Sequence, residues 1–440
     1  MTQAIKPRNL LGVLVLASCL AGCGGADAAS EERTGARADT ALQRLAADLL
    51  PAAEIRSGLP ARGPINLARR SKEGLEAFLV AEMAAQLPPE RLEAVVRTYA
   101  RLGLVPDSID LEPLLKSLLL EQVVGYYDPE RDTLYVVEGA DETHLETVVL
   151  HEIVHALQDQ YVDLDSMMAA NQERNDRGTA AQAAMEGHAT FAMLEWQLSR
   201  LMGEADLTAL PGLDALLGDD PLAAAGLEMP VLEEVPAVIR ESLLFPYIGG
   251  LVYLQKHWAG PWGRVPPLAS EMPVSTEQIL HPERFAPGAE DMPTQVSFQR
   301  DLPAGWADVL TDDLGELETR IFLREFLPDR GSADRAAAGW DGDRFRLFDA
   351  PPGEALLWYT VWDSERDGLE FADAVTAALI ERYGGSPREA GREVRINRRM
   401  EGNRHVVVVW DLPEGHDLLA DLEVLEEVTL EELEPTRPDS

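Results

Sequence analysis

From Thr40 onward, apolar positions recur three and four residues apart over residues 41–50, 73–86, 89–102 and 111–120, the spacing of helices that each bury one face. These segments predict a helical layer. The period then shortens. Val123-Val124-Gly125-Tyr126-Tyr127 and Thr133-Leu134-Tyr135-Val136-Val137 flank the turn-rich Asp128-Pro129-Glu130-Arg131-Asp132, which predicts a β-hairpin. Glu142 or Thr143 starts the next helix, whose apolar positions Leu145, Val148, Val149, Ile153, Val154 and Leu157 are too many for one stripe and predict burial nearly all round. A polar loop over 163–178 precedes an Ala-rich helix that Thr179 caps and that runs to about Met202. Residues 207–234, rich in acids, Pro and Gly, read as an excursion before a helix over 237–258. Beyond residue 295 the pattern mixes helices (312–326, 368–383) with strands (355–362, 392–397, 405–410), and 435–440 reads as frayed.

The class this predicts is α+β, with a helix-rich domain over 40–294 and a C-terminal α+β region over 295–440. The first 39 residues read differently. Lys6 and Arg8 precede an apolar run over 10–20 that ends in Leu20-Ala21-Gly22-Cys23, an export signal whose last four residues resemble a bacterial lipobox. That resemblance implies a signal peptide over 1–22, a lipid on Cys23 and a flexible tether over 23–39. Gly24 and Gly25 after the cysteine point to the outer membrane. Cys19 leaves with the signal, so no disulfide is expected. No membrane-spanning segment is expected either, because the apolar stretch 243–254 is interrupted by Pro246, Gly249 and Gly250.

Acidic residues outnumber basic ones by 77 to 38, a net charge of −39. Such a field repels nucleic acid, which is not expected as a partner, and serves solubility.

His151-Glu152-Ile153-Val154-His155 carries the chemistry. Residues four apart on a helix share a face, so both imidazoles reach one ion, and neutral imidazole nitrogens at that spacing supply half of a tetrahedral Zn²⁺ shell. Glu152 points beside the pair, where its carboxylate serves as general base toward an attacking water. The surrounding apolar residues make two imidazoles and a carboxylate costly without a metal. A third ligand is needed. Gln158 and Tyr161 stand where a metzincin has Gly and His, which excludes that class. Downstream, Ala184-Met185-Glu186-Gly187-His188-Ala189-Thr190 offers Glu186, with the small residues Gly187 and Ala189 allowing close approach to the first helix. His188, Asp159, Asp163 and Asp165 compete for the role; His188 lies on nearly the opposite side of the helix from Glu186, which suits it to packing or to support of a ligand.

The chain resembles the gluzincins, zinc peptidases with H-E-x-x-H and a glutamate on a following helix. More narrowly, 151–160, 186–190 and Ser275-Thr276-Glu277-Gln278-Ile279-Leu280-His281-Pro282 are similar to segments of bacterial proteins described as metallopeptidases, and the resemblance spans residues 125–285. It implies a zincin-like fold, one zinc ion per chain on His151, His155 and Glu186, and a peptide or protein substrate laid along a strand of the hairpin. Gluzincins also use a Tyr or His to stabilise the oxyanion; His281 is the candidate, with Tyr247 and Tyr253 behind it, and its other reading is to order the turn before Pro282. His144, His257, His405 and His416 read as structural or exposed, and Gly339-Trp340-Asp341-Gly342-Asp343-Arg344 reads as a tight turn around a packed Trp. The function implied is zinc-dependent peptide hydrolysis by an envelope lipoprotein. The rivals are a binding or scaffold lipoprotein with a structural zinc, and hydrolysis of a non-protein amide.

Overall fold

The computed structural model describes residues 40–139, 144–164, 166–167, 174–210, 212–213, 230–261, 263–285, 291–351, 353–414 and 424–433. The expected signal, tether and Cys23 anchor, and Glu142, Thr143 and Asp165, lie outside the described residues.

The fold is α+β. Helix α1 (Thr40–Ser57) is followed by strand β1 (Asn66–Arg70), then α2 (Lys72–Gln86), α3 (Pro89–Leu102) and α4 (Leu111–Gln122). The hairpin is present as β2 (Gly125–Asp128) and β3 (Thr133–Val137), joined by a 3₁₀ turn over Pro129–Arg131. The unforeseen β1, short and polar, adds parallel to β3 and makes a three-stranded sheet in the order β1-β3-β2. Helices α5 (Leu145–Asp159), α6 (Asn175–Met202) and α7 (Ala237–Ala259) follow, then the short α8 (Thr276–Leu280).

Beyond these come β4 (Thr294–Phe298), β5 (Ala307–Asp312), α9 (Gly315–Phe326), α10 (Arg330–Ala337), β6 (Trp340–Ala350), β7 (Gly353–Trp362), α11 (Glu365–Arg382), β8 (Arg392–Glu401), β9 (Arg404–Pro413) and β10 (Val428–Glu432). Five of these strands form an antiparallel sheet, β5-β6-β7-β9-β8, and β4 pairs with β10. The segment expected as a tight turn at 339–344 instead opens β6, where a register shift between Trp340 and Gly342 lets two residues oppose one. The Trp is packed as expected, its indole N–H donating to Asp343 Oδ1 at 3.1 Å.

One hydrophobic cluster runs from Leu79 of α2 through Phe191, Leu251 and Ile321 to Trp358, Phe371 and Val407. Apolar contact is therefore continuous across residue 295. A second cluster joins α1 and the small sheet to α5 through Leu42, Leu134, Val149, Ile153 and Leu157. Helix α7 is long and apolar enough to cross a membrane by length and composition. Here it serves the core: Leu243, Leu251 and Leu254 are buried, and a Cβ added at Gly250 would lie 1.9 Å from the Ala183 carbonyl oxygen.

Helix α6 starts four residues before Thr179, because its cap comes from far along the chain. The Asn175 N–H donates to Asp312 Oδ1 (3.1 Å) and the Asp176 N–H to Asp313 Oδ1 (2.8 Å), so two of the four N–H groups a helix leaves unmatched at its start meet carboxylates.

Candidate metal centre

Every residue from Val149 to Gln158 of α5 is buried, so the motif sits in the interior and α6 crosses it there. His151 and His155 stand one turn apart with ring centroids separated by 4.8 Å. Glu186 of α6 faces both: its Oε2 lies 3.1 Å from His151 Nε2 and 3.3 Å from His155 Nε2, and the two nitrogens are 3.0 Å apart. Donors around a tetrahedral ion with bonds of about 2.0–2.1 Å are about 3.3 Å from one another. The observed triangle is close to that size, and the three residues form a group that could hold a metal ion. The second Glu186 oxygen, Oε1, is buried with no hydrogen-bond partner, which is expensive in an interior unless a cation offsets it.

Electrostatics point the same way. Burial pushes the His151 pKa down, against the pull of Glu186. Burial by itself would raise Glu186, yet the two imidazoles beside it outweigh that and hold its carboxyl down at about 2. Neutral imidazole with ionised carboxylate is the state that binds a cation. Glu152 differs: burial, with the Glu186 charge adding to it, lifts its pKa to about 8, against His155 and the Tyr127 backbone N–H that hydrogen-bonds it. Its Oε2 is buried and has no hydrogen-bond partner. Strand β2 lies over this carboxylate, since a Cβ added at Gly125 would stand 3.9 Å from Glu152 Cγ.

The competing ligands are engaged otherwise. The His188 Nε2–H donates to the Ser57 carbonyl at 2.9 Å, its ring edge meets Trp258, and burial lowers its pKa to about 4. Asp159 accepts from the Tyr127 hydroxyl and the Leu164 N–H, and Asp163 is solvated and caps Ser166. The expectation that Gly187 lets α6 approach α5 needs correction. A Cβ there would lie 2.2 Å from the Gly250 carbonyl carbon, so this glycine admits α7, and Ala189 is the one that packs in the cluster with α5.

His281 closes α8, and its Nε2 meets Glu316 Oε1 at 3.0 Å. Its neighbours act as a brace. Thr276 bonds Asp176 of α6 and receives the Leu317 N–H of α9, while Glu277 pairs with Arg284. The ring beside His151 is Tyr247 of α7, at a centroid distance of 6.3 Å; Tyr253 is buried and stacked on His257. Two residues with a hand in the site were not foreseen as part of it. Tyr127 reaches Glu152 through backbone, which no side-chain pattern encodes. Gln158, weighed only against the metzincin pattern, lies 2.8 Å from His155 Nδ1, and its spacing three after that histidine was the available signal.

Residues 301–419 match the model of a family described as a domain of unknown function, DUF8575. No curated protein matches this chain. Among solved structures, a protein from Chloroflexus aurantiacus described as "a putative hydrolase with a novel fold" is similar at 18% identity and a TM-score of 0.35, over 62% of this chain and 94% of that one.

Proposed function

We propose that the chain is a zinc-dependent peptidase of the gluzincin kind, held in the bacterial envelope by lipid on Cys23. The observation that carries the catalytic part is the pairing of the His151–His155–Glu186 triangle with the adjacent Glu152, a buried carboxylate with one oxygen free. A structural metal site needs no such base, and it wants four protein ligands where three are found here among the described residues. When bound, Zn²⁺ would supply Lewis acidity toward the scissile carbonyl and the attacking water. Glu152 takes the water's proton on the carboxylate and passes it to the departing nitrogen. Strand β2, last in the order β1-β3-β2 among the described residues, lies beside Glu152 and is buried along its length, so an extended peptide that adds to it must first uncover that edge. The ring of Tyr247 lies 6.3 Å from that of His151 by centroids, and its hydroxyl is the donor proposed for the oxyanion as the carbonyl turns tetrahedral.

Burial of His155 and Glu186 at 0% exposure favours the rival, a closed structural site. One experiment separates the two. Zinc content and hydrolysis of a peptide library are measured for the native chain, Glu152→Gln and Glu186→Ala. The peptidase reading expects one zinc per chain, retained without turnover in Glu152→Gln and lost in Glu186→Ala. Bound zinc with equal turnover in native and Glu152→Gln would overturn it. Fractionation tests the envelope assignment, which a cytoplasmic soluble protein would end.

A further inference from the structure

We infer that Gln158 and His188 are positioning residues that fix the tautomer of His155, so that its metal-facing nitrogen carries a lone pair before any ion arrives. The inference rests on the metal-centre reading above but draws on separate contacts. His155, Gln158 and His188 are each 0% exposed, so bulk water cannot set their hydrogen positions.

Two backbone carbonyls, which only accept, fix the direction from both ends. At one end the Gln158 amide nitrogen lies 3.1 Å from the Met185 carbonyl oxygen and must donate to it, which turns Oε1 toward His155 Nδ1, 2.8 Å away. An amide oxygen only accepts as well, so Nδ1 of His155 carries a proton and, in the neutral ring, the lone pair is left on Nε2, 3.3 Å from Glu186 Oε2. At the other end the Ser57 carbonyl requires a proton on His188 Nε2, which leaves His188 Nδ1 to accept the second Gln158 N–H at 3.1 Å. Both readings assign the same orientation to Gln158. The order runs from Ser57 in α1, through His188 in α6 and Gln158 in α5, to His155 Nε2, which points at the other two donors of the triangle. Neutral imidazole in water favours the other tautomer, so this arrangement is imposed by the fold, in the way that outer hydrogen bonds orient metal-binding histidines.

The first test needs no metal and no activity. Long-range ¹⁵N correlation spectra of the full, chelator-treated chain are expected to show His155 as the Nδ1–H form and His188 as Nε2–H. His155 found as Nε2–H overturns the inference, whatever the chain does with zinc. The second test measures zinc affinity by competition with a chromophoric chelator, together with the thermal stability of the metal-free chain. Gln158→Leu, close in size, is expected to weaken zinc about 10–100-fold. Gln158→Glu keeps an oxygen for His155 Nδ1 and is expected to stay within about threefold of native, even though its second oxygen now faces the Met185 carbonyl and destabilises the metal-free chain more than Leu does. A residue that merely fills space gives the reverse order, with affinity following stability, and that result overturns the inference. Failure of the native chain to bind zinc, with the tautomers as expected, instead removes the metal reading and leaves the proton order standing.

Discussion

A single tyrosine divides two accounts of the chemistry. Tyr247 lies beside His151, whereas the imidazole of His281 is tied to Glu316. Tyr247→Phe keeps the ring and removes only the donor. Loss of one oxyanion donor lowers kcat by about 10²–10³-fold, and the expected result is that fall with KM and zinc content unchanged, read by steady-state kinetics and elemental analysis. His281→Phe has the opposite profile. It strips a partner from Glu316, a carboxyl at 0% exposure, and should cost roughly 1–3 kcal/mol of stability in urea titrations while turnover per folded molecule holds. A fall in kcat for His281→Phe with unchanged stability would return the role to His281. The triangle itself was legible in sequence because its spacing is dictated by helix geometry: imidazoles at positions four apart on α5, and a glutamate on the next helix. The roles of Tyr247 and Gln158 were not, since each depends on which neighbour a side chain meets across an interface.

Between elements, the crossing of α6 and α7 deserves the closest test, because Glu186 precedes the glycine at the contact. The Gly187–Gly250 approach leaves no volume for a methyl on either side, with backbone atoms rather than flexible side chains in the way. Gly250→Ala is expected to destabilise the chain by about 3 kcal/mol or more, at the upper end of overpacking costs, and to lower zinc content as α6 shifts. Unchanged stability would mean that the two helices slide apart freely. Elements that answer to their own sequence were visible in advance: α2, α3 and α5 follow their apolar spacing, and the hairpin follows its turn residues. Those that answer to distant partners were not. Strand β1 is polar and exists because β3 offers it a parallel edge; β4 and β10 exist by pairing with each other over 130 residues of chain. The early start of α6 has the same origin, in Asp312 and Asp313.

Across the whole molecule, a set of interior carboxyls carries a pH signature. Burial above all lifts Glu318 to about 8, with Asp312 and Asp313 adding to it, and lifts Asp343 to about 7. These values stand above those of the unfolded chain, so the folded form holds the protons more tightly. The stability they contribute is complete below the unfolded pKa, near 4, and is lost as pH rises through 7 and 8. The metal-free chain should therefore melt at a lower temperature at about pH 8.5 than at about pH 6, by up to about 1.4 kcal/mol per pH unit for each group. Glu318→Gln, which keeps the oxygen that accepts from Tyr99 or Asn175, should flatten that slope; an unchanged slope would assign the effect to general charge repulsion in a chain of net charge −39.

The carboxylates that cap α6 also set an order of events during synthesis. A ribosome delivers His151, His155 and Glu186 more than a hundred residues before Asp312 and Asp313, so a nascent chain holds all three candidate ligands while the helix bearing Glu186 still lacks its cap. A chain truncated before β5 would keep the whole H-E-x-x-H motif and its glutamate yet fray at that end, which makes the C-terminal region a condition for the finished His151–His155–Glu186 triangle and, under the proposed function, would delay activity until nearly all of the chain has been made.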